Sequence, residues 1–183
     1  MKKALLLCVA ISLFFCACSH IYKKTALIAW PEDFDYVEAF CEIDLRFEDQ
    51  QYSGEMSLKV EYPGSIFIEV YGPFGNTVLS VARSGGRFVM HTENKELTNE
   101  DDFFRFFHIR IDDIIEDLTF KGTLTGPGNV LRKERENYTV TYYTGDDENR
   151  ICWSGQKGDF CVKFLEANFS KGESIGKGDR RGE

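Results

Sequence analysis

The chain has 183 residues, of which 43% are hydrophobic and 14% aromatic, enough for one domain with its own core and too few for two. Charged residues make up 28% of the chain and prolines number 4, which excludes a disordered or low-complexity protein. The formal net charge is −8, the wrong sign for neutralising phosphates, so nucleic acid is disfavoured as a partner.

The N-terminal residues have the pattern of a secretory signal peptide. Lys2 and Lys3 precede an uncharged stretch over residues 4–15, and polar residues follow from Ser19. This apolar stretch is shorter than the roughly 20 residues that a membrane-spanning helix needs. We therefore expect residues 1–17 to guide export and then to be removed.

The end of this leader resembles the lipobox of bacterial lipoproteins. Phe15-Cys16-Ala17-Cys18 ends in the cysteine that such a motif acylates and turns into the new N-terminus. The resemblance implies several acyl chains on Cys18, which give stable attachment where one chain would be marginal. It also implies that Ser19 favours the outer membrane. The alternative is an ordinary cleaved signal that ends in cysteines.

From residue 41 onward apolar and polar residues alternate, which predicts half-buried antiparallel strands. Pro63-Gly64 and Ser84-Gly85-Gly86 supply turns between successive strands. Five consecutive strands are expected, and three more after a glycine-rich crossing, at residues 41–48, 55–62, 65–71, 77–83, 87–91, 138–144, 150–154 and 160–169.

Between these two groups the hydropathy pattern changes to a helical period. Thr98 before a run of acidic residues predicts a helix N-cap, and the apolar spacing from Ile111 to Leu118 predicts a second short helix. We expect a mainly β (α+β) fold, an unclosed antiparallel β-barrel with a short helical lid. This domain is expected to span residues 38–169, after a lipidated tether and N-terminal segment at 18–37 and before a disordered tail at 170–183.

Cys41, Cys152 and Cys161 are the cysteines that follow the leader and Cys18. The segments around residues 155–158 have the pattern of a hairpin, and a two- or four-residue loop would place Cys152 opposite Cys161. Because export leads to an oxidising compartment, we predict a disulfide between them. Three buried reduced cysteines are the alternative.

A strand over residues 66–71, the turn Gly72-Pro73-Phe74-Gly75 and a strand over 76–81 resemble the corresponding region of the LolB family of outer-membrane lipoprotein receptors. A lipobox leader before this region and two short helices after it occur in the same order as in this LolA/LolB-like lipoprotein-binding family. The resemblance covers residues 43–122. It implies a half-barrel whose hydrophobic cavity accepts the acyl chains of lipoproteins from a periplasmic LolA-type carrier. The cargo would then be inserted into the outer membrane without bond chemistry or a cofactor, by a lipid-anchored monomer on the periplasmic face.

The turn itself suits a type I geometry with proline second and glycine fourth, which leaves Phe74 at the tip. Burial of a phenylalanine side chain is worth about 1.5–3 kcal/mol, so an exposed ring would favour transient contact with a bilayer. The family's turn likewise presents an apolar residue to the membrane. We therefore expect Pro73, Phe74 and Gly75 to form a membrane-insertion loop. A ring folded back over the barrel end is the alternative.

Apolar residues of the second and third strands and of the two helices are the candidates for the lining of an acyl cavity. They are Leu58, Val60, Ile66, Ile68, Val70, Phe103, Phe104, Phe106, Phe107, Ile114 and Ile115. The same spacing is typical of plain core. Alternation alone does not decide which strand face lines a cavity, because a register shift of one residue exchanges the faces.

The sequence contains no pattern typical of catalysis or of a metal site. His20, His91 and His108 lack metal-ligand spacing, there is no Gly-x-Ser-x-Gly motif, and the glycines at 122–128 lack the Gly-Lys-Ser/Thr of a phosphate loop. We therefore expect that the protein is not an enzyme and that it binds no cofactor and no metal ion. The alternative function is a lipid-anchored envelope protein of the same fold that binds another hydrophobic ligand or has a structural role.

Overall fold

The computed structural model describes residues 28–48, 50–145 and 148–171. The leader, Cys18 and most of the expected tail lie outside these residues. The described chain forms ten strands and two helices: β1 (Tyr36–Phe47), β2 (Gln50–Glu61), β3 (Ser65–Tyr71), β4 (Thr77–Ser84), β5 (Arg87–Thr92), β6 (Lys95–Leu97), α1 (Glu100–Phe107), α2 (Ile111–Leu118), β7 (Val130–Glu134), β8 (Tyr138–Tyr143), β9 (Arg150–Gly155) and β10 (Gly158–Ser170). Neither helix is long and apolar enough to cross a membrane.

All ten strands belong to one antiparallel sheet with the order β6-β5-β4-β3-β2-β1-β10-β9-β8-β7. The long strands β1 and β10 pair in the middle, and the chain meanders outward from them on both sides. In the described residues the two edge strands, β6 and β7, do not pair with each other, so the sheet stays unclosed. This confirms the mainly β, antiparallel and unclosed architecture expected from the alternating pattern.

Two short strands and one helix cap differ from the sequence-based expectation. No strand was expected at β6 or β7. The three residues of β6 are too few to show alternation, and three of the five residues of β7 are charged, so no alternating pattern is visible there. The N-cap of α1 is Asn99 and not Thr98: the Asn99 side-chain oxygen accepts the Asp101 backbone N–H at 2.9 Å. Asparagine is at least as good an N-cap as threonine, so the neighbouring residue takes the position.

The connections divide the sheet into two ends. The β1–β2, β3–β4, β5–β6, β7–β8 and β9–β10 loops lie together at one end, which we call the Phe74 end because the β3–β4 turn contains that residue. The described chain begins at the opposite end, the N-terminal end, where the β2–β3 and β4–β5 turns and the end of β10 also lie.

Residues 28–35 pack into the N-terminal end of the sheet. Phe34 is buried, and its ring lies 4.8 Å from that of Phe169. Trp30 makes edge contacts with Phe120 at 4.8 Å and with Phe164 at 4.9 Å. This aromatic cluster belongs to the core, although Trp30 and Phe34 were expected to lie in the segment at 18–37 before the domain.

Candidate functional site: a covered apolar cavity

The concave face of the sheet and the two helices line a partly open cavity of about 130 Å³, and every residue that lines it is hydrophobic. The sheet contributes Ile43, Leu45, Met56, Ile68, Val70, Leu79, Val81, Met90, Trp153, Phe160 and Val162. The helices and the loop between them contribute Phe103, Phe107, Ile109, Ile114 and Leu118. Water in an apolar space of this size would lack polar partners.

Strand register explains why these side chains share one face. Directly opposed residues of neighbouring strands point to the same side of a sheet, and Ile68 lies opposite Val81, which in turn lies opposite Met90. In the other half of the sheet, on the same face, Leu45 of β1 lies opposite Phe160 of β10. The pairing therefore joins residues far apart in sequence into one continuous apolar wall.

The two helices cover this wall from the concave side. Phe103 is buried and contacts Phe88 of β5, with ring centroids 5.6 Å apart. Phe103 and Phe107, one helical turn apart, contact each other at 4.7 Å. The apolar faces of α1 and α2 therefore both point into the space above the sheet.

The structure places five of the eleven predicted cavity residues on the lining: Ile68, Val70, Phe103, Phe107 and Ile114. Four others are buried in the surrounding core and do not reach the cavity: Leu58, Val60, Ile66 and Ile115.

The remaining two phenylalanines of α1 point away from the cavity. The Phe104 ring lies 4.8 Å from the Arg110 guanidinium, a cation–π contact. Phe106 is 50% exposed and stacks on Phe47 at the Phe74 end. On a helix of eight residues, four phenylalanines in five positions cannot share one face, because successive positions rotate by about 100°.

A second space, of about 240 Å³, lies next to the cavity at the Phe74 end, and we call it the vestibule. Its outer part is lined by polar residues of the β1, β7–β8 and β9–β10 ends, among them Arg46, Asn137 and Lys157. Its inner part is apolar. Leu45, Phe107, Ile109, Trp153 and Phe160 line both the vestibule and the cavity, so the two spaces are adjacent through these side chains.

A buried polar cluster fixes α2 to the sheet beside the cavity. Asp117 is fully buried, and its carboxylate accepts hydrogen bonds from Arg135 at 2.7 Å and from the Trp153 indole N–H at 3.1 Å. It also forms an ion pair with Lys133 at 2.9 Å and accepts the Tyr138 hydroxyl at 3.3 Å. Four donors from β7, β8, β9 and the β7–β8 connection thus hold one side chain of α2.

Charges around this cluster shift the ionisation of their neighbours. A hydrogen bond from Arg135 lowers the pKa of the Glu116 carboxyl. Burial raises the pKa of Asp113, although Arg135 opposes this effect. Burial and the nearby Asp117 charge raise the pKa of Tyr138 well above the range in which tyrosine titrates in water. The cluster therefore pairs acidic side chains of α2 with Arg135 and Lys133, and its Tyr138 hydroxyl is a neutral donor at neutral pH.

The β3–β4 turn exposes its aromatic residue. The Gly75 backbone N–H donates to the Gly72 carbonyl at 2.9 Å, which closes a four-residue turn. Gly75 has a φ of 75°, a conformation that favours glycine. Phe74 is 96% exposed, so its ring does not fold back over the barrel end. Its contact with a membrane stays a prediction.

Cys152 and Cys161 lie directly opposite each other in β9 and β10 and form a disulfide. Gly155 pairs with Gly158 in the same register, so the hairpin has a two-residue loop. The third cysteine that the structure describes, Cys41, is buried and unbonded, and burial raises the pKa of its thiol. Since a protonated thiol is a poor nucleophile, Cys41 behaves as a small hydrophobic residue.

No family model matches this sequence, and no curated protein matches it either. Within the described ranges, no group of three or more His, Cys, Asp or Glu side chains could hold a metal ion. The fold and the site together define the class as an unclosed antiparallel sheet with two helices over an apolar cavity.

Proposed function

We propose that the protein is a lipid-anchored receptor of LolA/LolB-like fold that accepts the acyl chains of lipoproteins from a periplasmic carrier and inserts them into the outer membrane. The strongest support is the wholly hydrophobic lining of the cavity between the sheet and its two helices. A cavity of this kind favours hydrocarbon and provides no group for bond chemistry. Transfer of the cargo would then depend on differences in affinity for its acyl chains between the carrier, this protein and the membrane.

The cavity volume implies that the cover moves when cargo binds. Its 130 Å³ are comparable to engineered apolar cavities of about 150 Å³ that bind benzene, which is far smaller than a lipoprotein acyl chain. The sheet side is a continuous hydrogen-bonded wall, whereas α1 is held by side chains alone, such as the Arg83–Glu100 ion pair at 2.9 Å. Displacement of α1 would open the space that an acyl chain needs.

Phe74 supports the delivery step. A ring that is 96% exposed on a hydrogen-bonded turn loses nothing in the folded protein when it enters a bilayer. Its burial there is worth about 1.5–3 kcal/mol, which suits a contact that forms and breaks repeatedly. A lipid anchor on Cys18 would keep the whole domain close to the same membrane.

The volume of the cavity also favours a second candidate function. A lipid-anchored envelope protein that binds one small apolar molecule would need no opening of the cover, since a ligand the size of benzene fits the cavity as it stands. The two functions differ in whether a loaded carrier gives up its cargo to this protein.

The test mixes the Cys18→Ser protein with a LolA-type carrier loaded with a labelled lipoprotein, and then adds liposomes. Native Phe74 is compared with Phe74→Glu. Phe67→Glu is the matched control, because Phe67 is an exposed phenylalanine on the outer face of the same strand hairpin.

We expect all three proteins to take cargo from the carrier, and only Phe74→Glu to lose delivery to liposomes. Failure of the native protein to take cargo would refute the receptor function and favour the small-ligand protein. Equal delivery by Phe74→Glu and Phe67→Glu would refute the role of the turn.

A further inference from the structure

We infer that the apolar cavity is entered from the Phe74 end through the vestibule, and that the bound ligand is an acyl chain with an uncharged polar head group that remains in the vestibule. This inference rests on the proposed function, since it takes an acyl chain as the occupant of the cavity. It adds the direction of entry, the orientation of the ligand and the chemistry of its head group.

The N-terminal end of the half-barrel offers no path to the cavity. There Trp30 and Phe34 lie against Phe120, Phe164 and Phe169, with ring centroids 4.8–5.6 Å apart. The Trp30 indole N–H also donates to the Asn149 side chain at 3.0 Å, which fixes the ring. Entry at this end would require the separation of a packed aromatic cluster.

The Phe74 end provides both an opening and a passage. Five apolar side chains line the vestibule and the cavity alike, so a hydrocarbon chain would meet hydrophobic surface along the whole passage. One side of this passage is rigid, because Trp153 and Phe160 stack with centroids 4.4 Å apart and planes 6° apart. The other side consists of Phe107 and Ile109, which belong to the end of α1 and the loop after it.

Backbone contacts between β1 and the β9–β10 hairpin fix the sheet side of the vestibule. A Cβ at Gly158 would lie 2.0 Å from the Arg46 carbonyl oxygen, so β10 approaches β1 more closely there than any other residue allows. The Glu48 backbone N–H also donates to the Lys157 carbonyl at 3.0 Å. The β9–β10 hairpin is therefore fixed to β1, and widening of the passage falls to α1 and its following loop.

The charges around the vestibule balance, which argues for an uncharged head group. Arg46 and Lys157 contribute two cations, Glu136 and Asp159 contribute two carboxylates, and His108 contributes an imidazole. Neutral hydrogen-bonding groups are present as well, in Asn137 and Gln156. A free carboxylate or a phosphate would find no surplus of positive charge here, whereas amide and ester groups, such as those of an acylated cysteine, would find both donors and acceptors.

The two tryptophans of the chain report the route directly, because Trp30 lies at the closed end and Trp153 on the passage. The probe is an N-acyl cysteine methyl ester, which contains one amide and one ester group. It has bromine at the middle of the acyl chain, since bromine quenches indole fluorescence on contact. It is added to the Cys18→Ser protein, which has no acyl chain of its own to compete. Trp30→Phe isolates the emission of Trp153, and Trp153→Phe isolates that of Trp30.

We expect the probe to quench the Trp153 emission and to leave the Trp30 emission unchanged. Quenching of Trp30, with or without quenching of Trp153, would overturn the direction of entry while leaving acyl binding intact, because Trp153 lines the cavity itself and is reached from either end. Quenching of neither residue would show that the cavity takes no acyl chain, and would overturn the proposed function as well.

A second measurement does not depend on the tryptophan variants. Ile109→Arg places a charge in the passage, and Ile28→Arg is the matched control at the N-terminal end, where residue 28 is partly buried. In titrations with the same ester, we expect at least about tenfold weaker binding for Ile109→Arg, equivalent to about 1.4 kcal/mol, and little change for Ile28→Arg. The reverse order would overturn the inferred route, and tighter binding of the free fatty acid than of the ester would overturn the inferred head group.

Discussion

Replacement of Asp117 by asparagine is expected to destabilise the fold more than any comparable change on the surface of α2. The substitution keeps the shape of the side chain and removes one negative charge from a fully buried position. It also replaces an acceptor oxygen by an NH₂ group that faces existing donors. Lys133, whose side chain is 8% exposed, then loses its 2.9 Å partner and keeps only the Lys121 carbonyl at 2.7 Å and a distant Glu116.

The magnitude follows from the burial of this pair. Removal of one partner from a buried ion pair costs about 3–5 kcal/mol, because the remaining charge stays desolvated without compensation. Arg135 is less affected, since it keeps ion pairs with Asp113 at 3.0 Å and with Glu116 at 2.8 Å. We therefore expect a loss of about 3–4 kcal/mol, a large part of the 5–15 kcal/mol by which small domains are stable.

Urea unfolding followed by circular dichroism measures this loss, with the free energy taken from the midpoint and slope. Asp112→Asn is the matched control, the same chemical change on the same helix. Asp112 is 62% exposed and pairs with Arg83, so we expect a cost of no more than about 1 kcal/mol. If both variants lost the same stability, the buried cluster would not be what fixes α2 to the sheet.

Two further predictions concern charge and covalent links. Because the Arg135 hydrogen bond lowers the pKa of Glu116 in the folded state, the carboxylate stabilises the fold above its ordinary pKa of 4.5, and this contribution is lost as the pH falls through the lowered value. Glu116→Gln should therefore be less stable than the native protein near neutral pH, and urea midpoints should converge in acid; a constant difference would contradict this. Replacement of Cys152 and Cys161 by serine should lower stability by about 2–3 kcal/mol, since their disulfide closes a short loop, and unchanged midpoints in the oxidised native protein and the variant would contradict it.

The alternating pattern predicted most of the sheet because one face of it is buried. In β3, for example, Ile66, Ile68 and Val70 face the core and Phe67 faces solvent, so period two is visible in the sequence itself. The short strand β7 shows no such signal, since Lys133 points inward to a partner on α2. Its inward charge makes sense only once the distant helix is in place.

The residues that the helices contribute to the cavity could be predicted from the sequence, whereas several that the sheet contributes could not. Phe103, Phe107 and Ile114 are visible from helical spacing, whereas Trp153 and Phe160 reach the same space only through strand pairing. Pairing of β1 with β10 joins residues more than a hundred positions apart, and a shift of one residue would turn the whole set outward.

The local sequence pattern around Asp117 does not show whether this acidic residue is buried or exposed. An acidic residue between Ile114 and Leu118 resembles the solvated acids at the start of the same helix. Full burial of a carboxylate requires cations or donors from elsewhere in the chain, and here they come from β7, the β7–β8 connection, β8 and β9. The sequence shows the acid, and only the tertiary structure supplies the partners that allow its burial.

The distribution of these contacts determines which part of the cover can move. α2 is held to the sheet by a desolvated charge cluster around Asp117, whose disruption is costly. α1 depends on ring contacts such as Phe88–Phe103 and on the Arg83–Glu100 ion pair, interactions that are individually weak. Opening should therefore begin at α1, whose last residue, Phe107, lies on the passage at the Phe74 end. A ligand that entered there would also leave there, beside the turn that we propose contacts the membrane.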